Sequence, residues 1–390
     1  MSLPQFEAQA HLKQAQKLLN ARQLPCMLVY YDELNIANGW YLSGWCPQFE
    51  SGCILIPQSG EAMILGGPES EPFAKTDSSI TLTRNIPVFM VPEEEYPNAT
   101  ISSFAQVFRE IDMDSSNTKI GVVGLEKMPY GVYELLKKDL QGIELVNLTA
   151  EFESFRKIKS AWEQEQVRRS FAIADQAFQK MEPLVQVGQV ETVIAAAGEG
   201  KARSLGANWF AFKTIVASGP RTNGVVPIAS PEKTIAIGET IMIGISPRYN
   251  GYAGVAGYTF VAGGKMNEAQ KTVINDMIEA YRITKQNLRP GMIGKDIDTP
   301  TRNFMVKKGY SKYLVCPFAH TIGLMEAEAP FFGPNSNDVL QPSMTVCIDI
   351  SVFSVPDVNG VRFESAYLIT ENGPEPLSPF MDQKILNTRV

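Results

Sequence analysis

The segments QPSMTVCID (residues 341–349) and IGETIMIG (residues 237–244) share one apolar pattern, and this repetition predicts the architecture of the second half of the chain. Each segment is typical of a buried β-strand, and each precedes an Asn-Gly hairpin signal, at Asn250-Gly251 and at Asn359-Gly360. In both copies, a helical pattern enclosed by two glycines comes before the strand pair at the same spacing. This duplicated helix–helix–strand–turn–strand unit predicts an α+β domain with a pseudo-twofold axis and a curved antiparallel sheet.

The first 155 residues show a different pattern, in which short apolar runs alternate with amphipathic helical segments. Runs over residues 27–31, 52–57 and 62–65 are separated by turn residues, and further runs follow near residues 120 and 144. Alternating strands and helices are typical of an α/β domain. The sequence therefore predicts an α/β N-terminal domain over residues 1–155 and the duplicated α+β domain over residues 156–390.

The composition and net charge limit the kinds of molecule that the protein is expected to bind. Lys and Arg number 35 and Asp and Glu number 42, so the 390-residue chain has a formal net charge of −7. Because no basic run with interleaved aromatic residues is present, nucleic acid and anionic membrane surfaces are not expected partners. No apolar run approaches the roughly 18 residues that span a bilayer. Five scattered cysteines without a CxxC pair, and a start without signal-peptide features, predict a cytoplasmic protein with reduced thiols.

Six motifs, taken in their order and spacing, resemble those of one protein family. They are DELNI (32–36), WYLSG (40–44), RKIKS (156–160), TIVASG (214–219), HTIGL (320–324) and VRFE (361–364). Over nearly its whole length the chain resembles the pita-bread family of creatinase, prolidase, aminopeptidase P and methionine aminopeptidase. The resemblance implies the N-terminal α/β domain that creatinase and prolidase share, followed by a C-terminal pita-bread domain.

Metal-dependent members of that family hold two divalent ions with two aspartates, one histidine and two glutamates, and the bridged ions activate a water molecule. The resemblance places the two aspartates at Gly244 and Val255, and the other three ligands at His320, Asp349 and Glu364. The duplication gives the same alignment, because Gly244 matches Asp349 and Val255 matches Glu364. Since the ligands of the first half are missing, a two-ion centre is not expected.

Three interpretations of the surviving residues remain open. The first is metal-free hydrolysis or a related lytic reaction, in which His320 is the acid–base and Asp349 and Glu364 are orienting or electrostatic groups. Glu326 and Glu328 lie close in sequence, and Glu328 is included among the predicted catalytic residues. The second is one divalent ion at His320, Asp349 and Glu364, which together offer enough donors. The third is a site that no longer carries out chemistry, in which His320 is only a hydrogen-bonded core residue.

Four residues are predicted to contact substrate. Arg221 and Asn223 follow the Ser-Gly motif on a loop that borders the substrate in the family, and Arg221 would bind a carboxylate bidentately unless it is a solvated loop residue. Tyr252 lies in a glycine-rich segment that favours pocket shaping over dinucleotide binding. Phe210 belongs to an aromatic run with strand spacing, which is typical of a core and compatible with a pocket wall. Val226 stands where family peptidases place a substrate-contacting histidine.

The sequence thus predicts a hydrolase of a small C–N-bonded, carboxylate-bearing compound that works without the dinuclear metal centre. No cofactor is expected, apart from one divalent metal ion under the second interpretation. Two alternatives stay open: a non-catalytic ligand- or protein-binding pita-bread scaffold, and a metal-dependent Xaa-Pro dipeptidase. The resemblance also implies a homodimer, in which the N-terminal domain covers the active-site mouth of the partner.

Overall fold

The computed structural model describes residues 3–92, 94–113 and 119–389. The chain divides after residue 156 into a first unit, residues 1–156, and a second unit, residues 157–390. Within the described ranges, none of the helices combines the length and the hydropathy that a membrane span requires.

The first unit is an α/β domain built on one six-stranded sheet. Its helices are α1 (Gln5–Arg22), α2 (Ala37–Ser43), α3 (Glu71–Asp77), α4 (Phe104–Glu110), α5 (Tyr130–Asp139) and α6 (Thr149–Glu153). Its strands are β1 (Cys26–Tyr31), β2 (Gly52–Pro57), β3 (Met63–Gly66), β4 (Thr83–Asn85), β5 (Lys119–Val123) and β6 (Glu144–Asn147). The strand order is β4-β3-β2-β1-β5-β6, in which an antiparallel β1–β2–β3 meander is extended on both sides by parallel strands. Parallel neighbours need crossover connections, and helices supply them here.

The second unit combines a large eight-stranded sheet with a small three-stranded one. Its helices are α7 (Ala161–Met181), α8 (Glu191–Ser204), α9 (Glu268–Asn287), α10 (Gly294–Lys307) and α11 (Pro379–Leu386). Its strands are β7 (Trp209–Phe210), β8 (Ile215–Ser218), β9 (Thr240–Ile245), β10 (Pro247–Tyr249), β11 (Tyr252–Ala253), β12 (Ala256–Val261), β13 (Ala319–Thr321), β14 (Glu328–Phe331), β15 (Thr345–Val355), β16 (Asn359–Thr370) and β17 (Gly373–Pro376). The large sheet has the order β14-β13-β15-β16-β12-β9-β8, with β17 added beside β16, and the small sheet has the order β11-β10-β7.

Two hairpins form the centre of the large sheet and carry the predicted duplication. β9 pairs with β12 and β15 pairs with β16, and the hairpins join where Gly257 lies opposite Glu364. Apolar side chains of α7 to α10 pack with strand residues such as Ile243 and Ile348 into one core. The predicted architecture, an α/β domain followed by a duplicated α+β domain, is confirmed.

The two Asn-Gly pairs differ in role, and the prediction of a turn at Asn359-Gly360 is wrong. Asn250 and Gly251 both have positive φ, 48° and 79°, as a tight hairpin turn of this type requires. Asn359 and Gly360 instead lie inside β16, because Val355 pairs with Asn359 and the chain reverses at residues 356–358. A glycine is needed at 360 because a Cβ there would lie 1.9 Å from the backbone oxygen of Thr222.

Two elements of the second unit are interrupted for identifiable reasons. The segment over residues 252–261 divides at Gly254, where a Cβ would lie 2.4 Å from the backbone of Ser170 in α7, so β11 joins the small sheet and β12 the large one. Helix α7 ends at Met181, because Pro183 lacks the backbone N–H that a continued helix needs.

Candidate active site

The candidate site lies along one row of the large sheet. Across four neighbouring strands, Gly244 pairs with Gly257, Gly257 with Glu364, and Glu364 with Asp349. Residues directly opposite each other in an antiparallel ladder project from the same face. The carboxylates of Asp349 and Glu364 therefore share a face with Gly244, which contributes no side chain to it.

The same face carries further polar residues at alternate positions. Ser351 and Arg362 form the next pair along β15 and β16, and Cys347 lies opposite His320 of β13 on the other side of Asp349. Because side chains alternate between faces along a strand, Cys347, Asp349 and Ser351 project together. This alternation brings an imidazole, a thiol, two carboxylates and a guanidinium to one place.

Four of these groups form what we call the four-donor cluster: His320, Glu326, Cys347 and Glu364. One ligand atom from each residue lies within 4.8 Å of the others. The Cys347 Sγ is 3.5 Å from Glu364 Oε1, and His320 Nε2 is 3.9 Å from Glu326 Oε1. Since the Thr321 carbonyl oxygen, 3.0 Å from His320 Nδ1, can only accept, Nδ1 carries the hydrogen and Nε2 presents its lone pair to the cluster.

Asp349 has other partners. Ser351 Oγ donates to Asp349 Oδ1, and the Nε of Arg362 lies 3.3 Å from the same oxygen. Arg362 also contacts a residue outside this row of the sheet: its Nη1 donates to the carbonyl oxygen of Val225 at 2.8 Å. Asp349 is therefore neutralised by a permanently charged guanidinium that also ties β16 to the loop after β8.

Burial and mutual repulsion perturb the acids of the cluster. Burial raises the pKa of Glu364 well above its ordinary value, the Asp349 and Glu326 carboxylates raise it further, and Arg362 opposes them. Burial likewise raises the pKa of Glu326, which shares a hydrogen bond with Glu364. The pKa of the Cys347 thiol is raised well above its usual range by burial and by the neighbouring carboxylates. Two buried carboxyl groups that are joined by a hydrogen bond share a proton.

The residues present do not fit a two-ion centre of the kind that the resemblance implies. Gly244 has no side chain, and a Cβ there would meet Ile215 at 3.2 Å. Val255 is fully buried and apolar. Gly257 leaves the space that the Glu364 side chain fills, since a Cβ at this position would lie 2.9 Å from Glu364 Oε2. A second ion would find no oxygen donors at either position of the first half.

The predicted catalytic residues are not all brought together. His320, Asp349 and Glu364 converge, and Glu326 joins them. Glu328 is buried and forms an ion pair away from them, with its Oε1 3.0 Å from the Nζ of Lys159. Glu328 begins β14 and pairs with Thr321, whereas Glu326 lies two residues earlier, outside the strand.

The predicted substrate contacts on the loop after β8 have protein partners. Arg221 Nε lies 3.0 Å from Glu191 Oε2, and Glu191 also accepts from the backbone N–H of Ser218 at 2.7 Å. Asn223 donates to Asn359 at 3.2 Å and accepts from the backbone N–H of Ser354 at 2.8 Å. Both side chains therefore fix the loop conformation.

The two aromatic candidates lie on the small sheet. Tyr252 is buried and donates to Glu163 Oε1 at 2.8 Å, beside the start of α7. Phe210 is partly buried, with the Arg203 guanidinium 5.4 Å from its ring centroid. Direct substrate contact by these four residues stays a prediction.

Sequence reasoning missed Cys347 and Arg362 as members of the site. Cys347 was expected only to be one of five reduced thiols; it is fully buried, and its sulfur faces Glu364. The signal that was available is strand alternation: Cys347 lies two residues before Asp349, and Arg362 lies two residues before Glu364.

Comparisons with known proteins agree with this architecture. Residues 165–371 match the model of metallopeptidase family M24, and residues 11–158 match that of the creatinase/prolidase N-terminal domain. An Xaa-Pro dipeptidase of Pyrococcus horikoshii is 30% identical over 342 residues, which are 87% of this chain and 90% of that one. An Xaa-Pro dipeptidase of Pyrococcus furiosus is 31% identical over 294 residues, covering 74% and 83%. The crystal structure of the prolidase from P. horikoshii superposes with a TM-score of 0.80 at 26% identity, covering 95% of this chain and 98% of that one.

Proposed function

The chain belongs to metallopeptidase family M24, and from this premise we propose that it hydrolyses a C–N bond of a small substrate without the two-ion centre of that family. The membership confirms the resemblance predicted from the motifs and makes the chain a hydrolase by class. The observation that carries the proposal is the row Gly244–Gly257–Glu364–Asp349, in which only the second half of the duplication supplies carboxylates. Val255, where the resemblance places the second aspartate, is apolar and buried, and Gly257, which pairs with Gly244 as Glu364 pairs with Asp349, has no side chain.

The proposed chemistry uses protons held at named atoms. His320 Nε2 is the free ring nitrogen, and an imidazole exchanges protons at neutral pH, so it would take a proton from the attacking water. The Glu326–Glu364 pair shares a hydrogen bond, and its acidic proton would go to the leaving nitrogen. Arg362 supplies a fixed positive charge beside these groups.

A second candidate is a metal-dependent Xaa-Pro dipeptidase. It is favoured by the relatives, which carry that name and align over most of the chain. Some support also comes from the four-donor cluster, whose nitrogen, sulfur and oxygen atoms are sufficient for one divalent ion. Such an ion would act as a Lewis acid toward the scissile carbonyl.

One experiment separates the two candidates. The purified protein is stripped with a chelator, its metal content is measured by elemental analysis, and it is assayed against X-Pro dipeptides, N-acyl amino acids and amidines. We expect turnover of at least one compound to survive stripping and to be lost in His320→Ala, with folding checked by circular dichroism. Turnover of X-Pro dipeptides that is lost on stripping and restored by one equivalent of Mn²⁺ or Co²⁺ would establish the second candidate instead.

The quaternary structure and the compartment remain predictions. A homodimer is expected from the resemblance, and light scattering on the purified full chain measures it directly. A cytoplasmic location is expected from the five scattered cysteines, which include no CxxC pair, and is tested by cell fractionation.

A further inference from the structure

We propose that Arg248, a residue of the small sheet, is a positioning residue that holds Glu326 beside His320 and Glu364. It acts through the backbone of residues 322–327, which we call the Glu326 segment, and not through contact with substrate. The placement of the segment stands on geometry alone, whereas an effect on turnover rests on the proposed function.

The Glu326 segment lies outside the regular ladders of the large sheet. β13 ends at Thr321 and β14 begins at Glu328, so none of residues 322–327 belongs to a strand. Leu324 is buried, and the Glu326 side chain is 18% exposed. Buried backbone groups outside a ladder need other hydrogen-bond partners. The position of Glu326 therefore depends on the contacts that the residues before it make.

Hydrogen bonds from the small sheet reach the segment just before Glu326. Arg248 Nη1 donates to the carbonyl oxygen of Leu324. The backbone N–H of Ala253, which pairs with Arg248 between β10 and β11, donates to the carbonyl oxygen of Gly323 at 2.8 Å. Two consecutive carbonyl groups of the segment are thus bound by one pair of residues of the small sheet.

The Arg248 guanidinium is suited to fixing a backbone. The residue is buried, and its Nη1 also donates to the carbonyl oxygen of Gly251 at 2.7 Å, so one nitrogen joins the β10–β11 turn to Leu324. Its Nη2 lies 4.0 Å from the Sδ of Met325. A planar guanidinium holds its donors in fixed directions, which the flexible ammonium group of a lysine does not. Substitution of Arg248 should therefore loosen the segment.

The neighbours of Glu326 make its position important for the proposed chemistry. Its Oε1 lies 3.9 Å from His320 Nε2, and its carboxyl group shares a hydrogen bond with Glu364. A displacement of about 1 Å in a reacting group can lower turnover by about 100-fold. Because Arg248 acts on a reacting group, its loss should lower kcat and leave KM unchanged.

Hydrogen exchange measured by mass spectrometry on the full-length protein tests the placement without a substrate. In Arg248→Met, the amides of residues 322–327 and of Ala253 should exchange about tenfold faster, whereas those of β15 and β16 should not change. Arg248→Lys keeps the charge without the planar group, so its exchange should be intermediate. If Arg248→Met fails to fold, Arg248→Lys is compared with the parent protein in its place. Unchanged exchange across the segment in a folded variant would overturn the placement.

Turnover tests the consequence. For any X-Pro dipeptide, N-acyl amino acid or amidine that the parent protein hydrolyses, kcat per folded molecule of Arg248→Met should fall about 10- to 100-fold at constant KM. Arg248→Lys should recover part of this loss. The matched control is Arg156→Met, which removes a buried arginine of the first unit that donates to Asn38. This control should lower stability but leave kcat per folded molecule and exchange in the Glu326 segment unchanged.

The outcomes separate this inference from the proposed function. A folded Arg248→Met protein that keeps the parent kcat, or that loses kcat without faster exchange in the Glu326 segment, contradicts the positioning role and leaves the proposed function intact. A parent protein that hydrolyses none of the compounds contradicts the proposed function. Exchange in Arg248→Met then still decides whether Arg248 holds the segment in place.

Discussion

The Nε of Arg362 lies 3.3 Å from the Oδ1 of Asp349, and both side chains are more than nine-tenths buried. The resemblance places a metal-ligating carboxylate at Asp349, but here a permanent cation already neutralises that carboxylate. The two residues project from adjacent strands beside Glu364, so the pair defines one side of the site. The groups still available to a cation or a proton are those of the four-donor cluster.

Replacing Arg362 with Met should strongly destabilise the protein. The change leaves Asp349 charged, buried and without its counter-ion, and breaking a buried pair in this way costs about 3–5 kcal/mol. The free energy of unfolding measured by urea titration should fall by that amount. Adding Asp349→Asn should restore part of the loss, because the variant then buries no unpaired charge.

The matched control is Lys271→Met, which removes an exposed partner of Glu268 on α9. Exposed pairs contribute about 0–1 kcal/mol, so this variant should unfold almost like the parent protein. A loss at Arg362 as small as the loss at Lys271 would mean that Asp349 does not depend on the guanidinium.

Glu328 should contribute to the stability of the fold and not to catalysis. Its carboxylate lies 3.0 Å from Lys159 Nζ in a pair whose side chains are 4% and 1% exposed. Lys159→Met alone should lower the free energy of unfolding by about 3–5 kcal/mol, because it leaves an unpaired buried charge. The double variant Lys159→Met/Glu328→Leu should recover much of that stability, because it leaves no unpaired carboxylate at position 328.

Turnover per folded molecule decides between the predicted catalytic role of Glu328 and this structural one. The double variant should keep the turnover of the parent protein once a substrate is known. A folded double variant with no turnover would restore Glu328 to the catalytic residues.

Asp175 should make the protein less stable as the pH rises from about 4 to about 6. Burial raises its pKa to about 6, and a hydrogen bond from Ser378 opposes the shift only in part. In this pH window the folded state keeps the proton while the unfolded state, with a pKa near 3.9, has released it. Asp175→Asn should therefore stabilise the protein by up to about 3 kcal/mol at pH 7 and have little effect at pH 4.

Urea titrations at both pH values measure this difference. Asn keeps an oxygen acceptor for Ser378, so the variant removes the charge without removing the hydrogen bond. Asp296→Asn, at an exposed position in the first turn of α10, is the control for the loss of one negative charge. An Asp175→Asn effect that is equal at both pH values would contradict the raised pKa.

The duplication made much of the second unit predictable. Its aligned glycines and apolar strands anticipate two hairpins side by side, and the pairing of Gly244, Gly257, Glu364 and Asp349 gives the row on which the site lies. Registers of this kind follow from period-two patterns, because a slip of one residue would turn every side chain to the wrong face.

The remaining details depend on contacts that no local pattern encodes. Gly360 reads as half of a turn signal, but its position is fixed by the Thr222 backbone more than 130 residues away. Glu328 begins β14 and forms an ion pair with Lys159, whereas Glu326, two residues earlier and outside the strand, lies at the site. The ion pair of Asp349 and Arg362 is likewise set by packing, although alternation along β16 places the arginine on the correct face.

Restoring the two missing carboxylates should create a metal site. Gly244 lies in the row of Asp349 and Glu364, and the resemblance places the second aspartate at Val255, so Gly244→Asp/Val255→Asp would return the oxygen donors of the first half. Without metal the variant should be destabilised, because it buries two carboxylates and crowds Ile215, which lies 3.2 Å from a Cβ at 244. Mn²⁺ should raise its Tm and remain bound through gel filtration, as measured by elemental analysis. The neutral variant Gly244→Asn/Val255→Asn has nearly the same shape and should bind none. Equal Mn²⁺ retention by the two variants, or none by the aspartates in a folded protein, would place these positions away from the site.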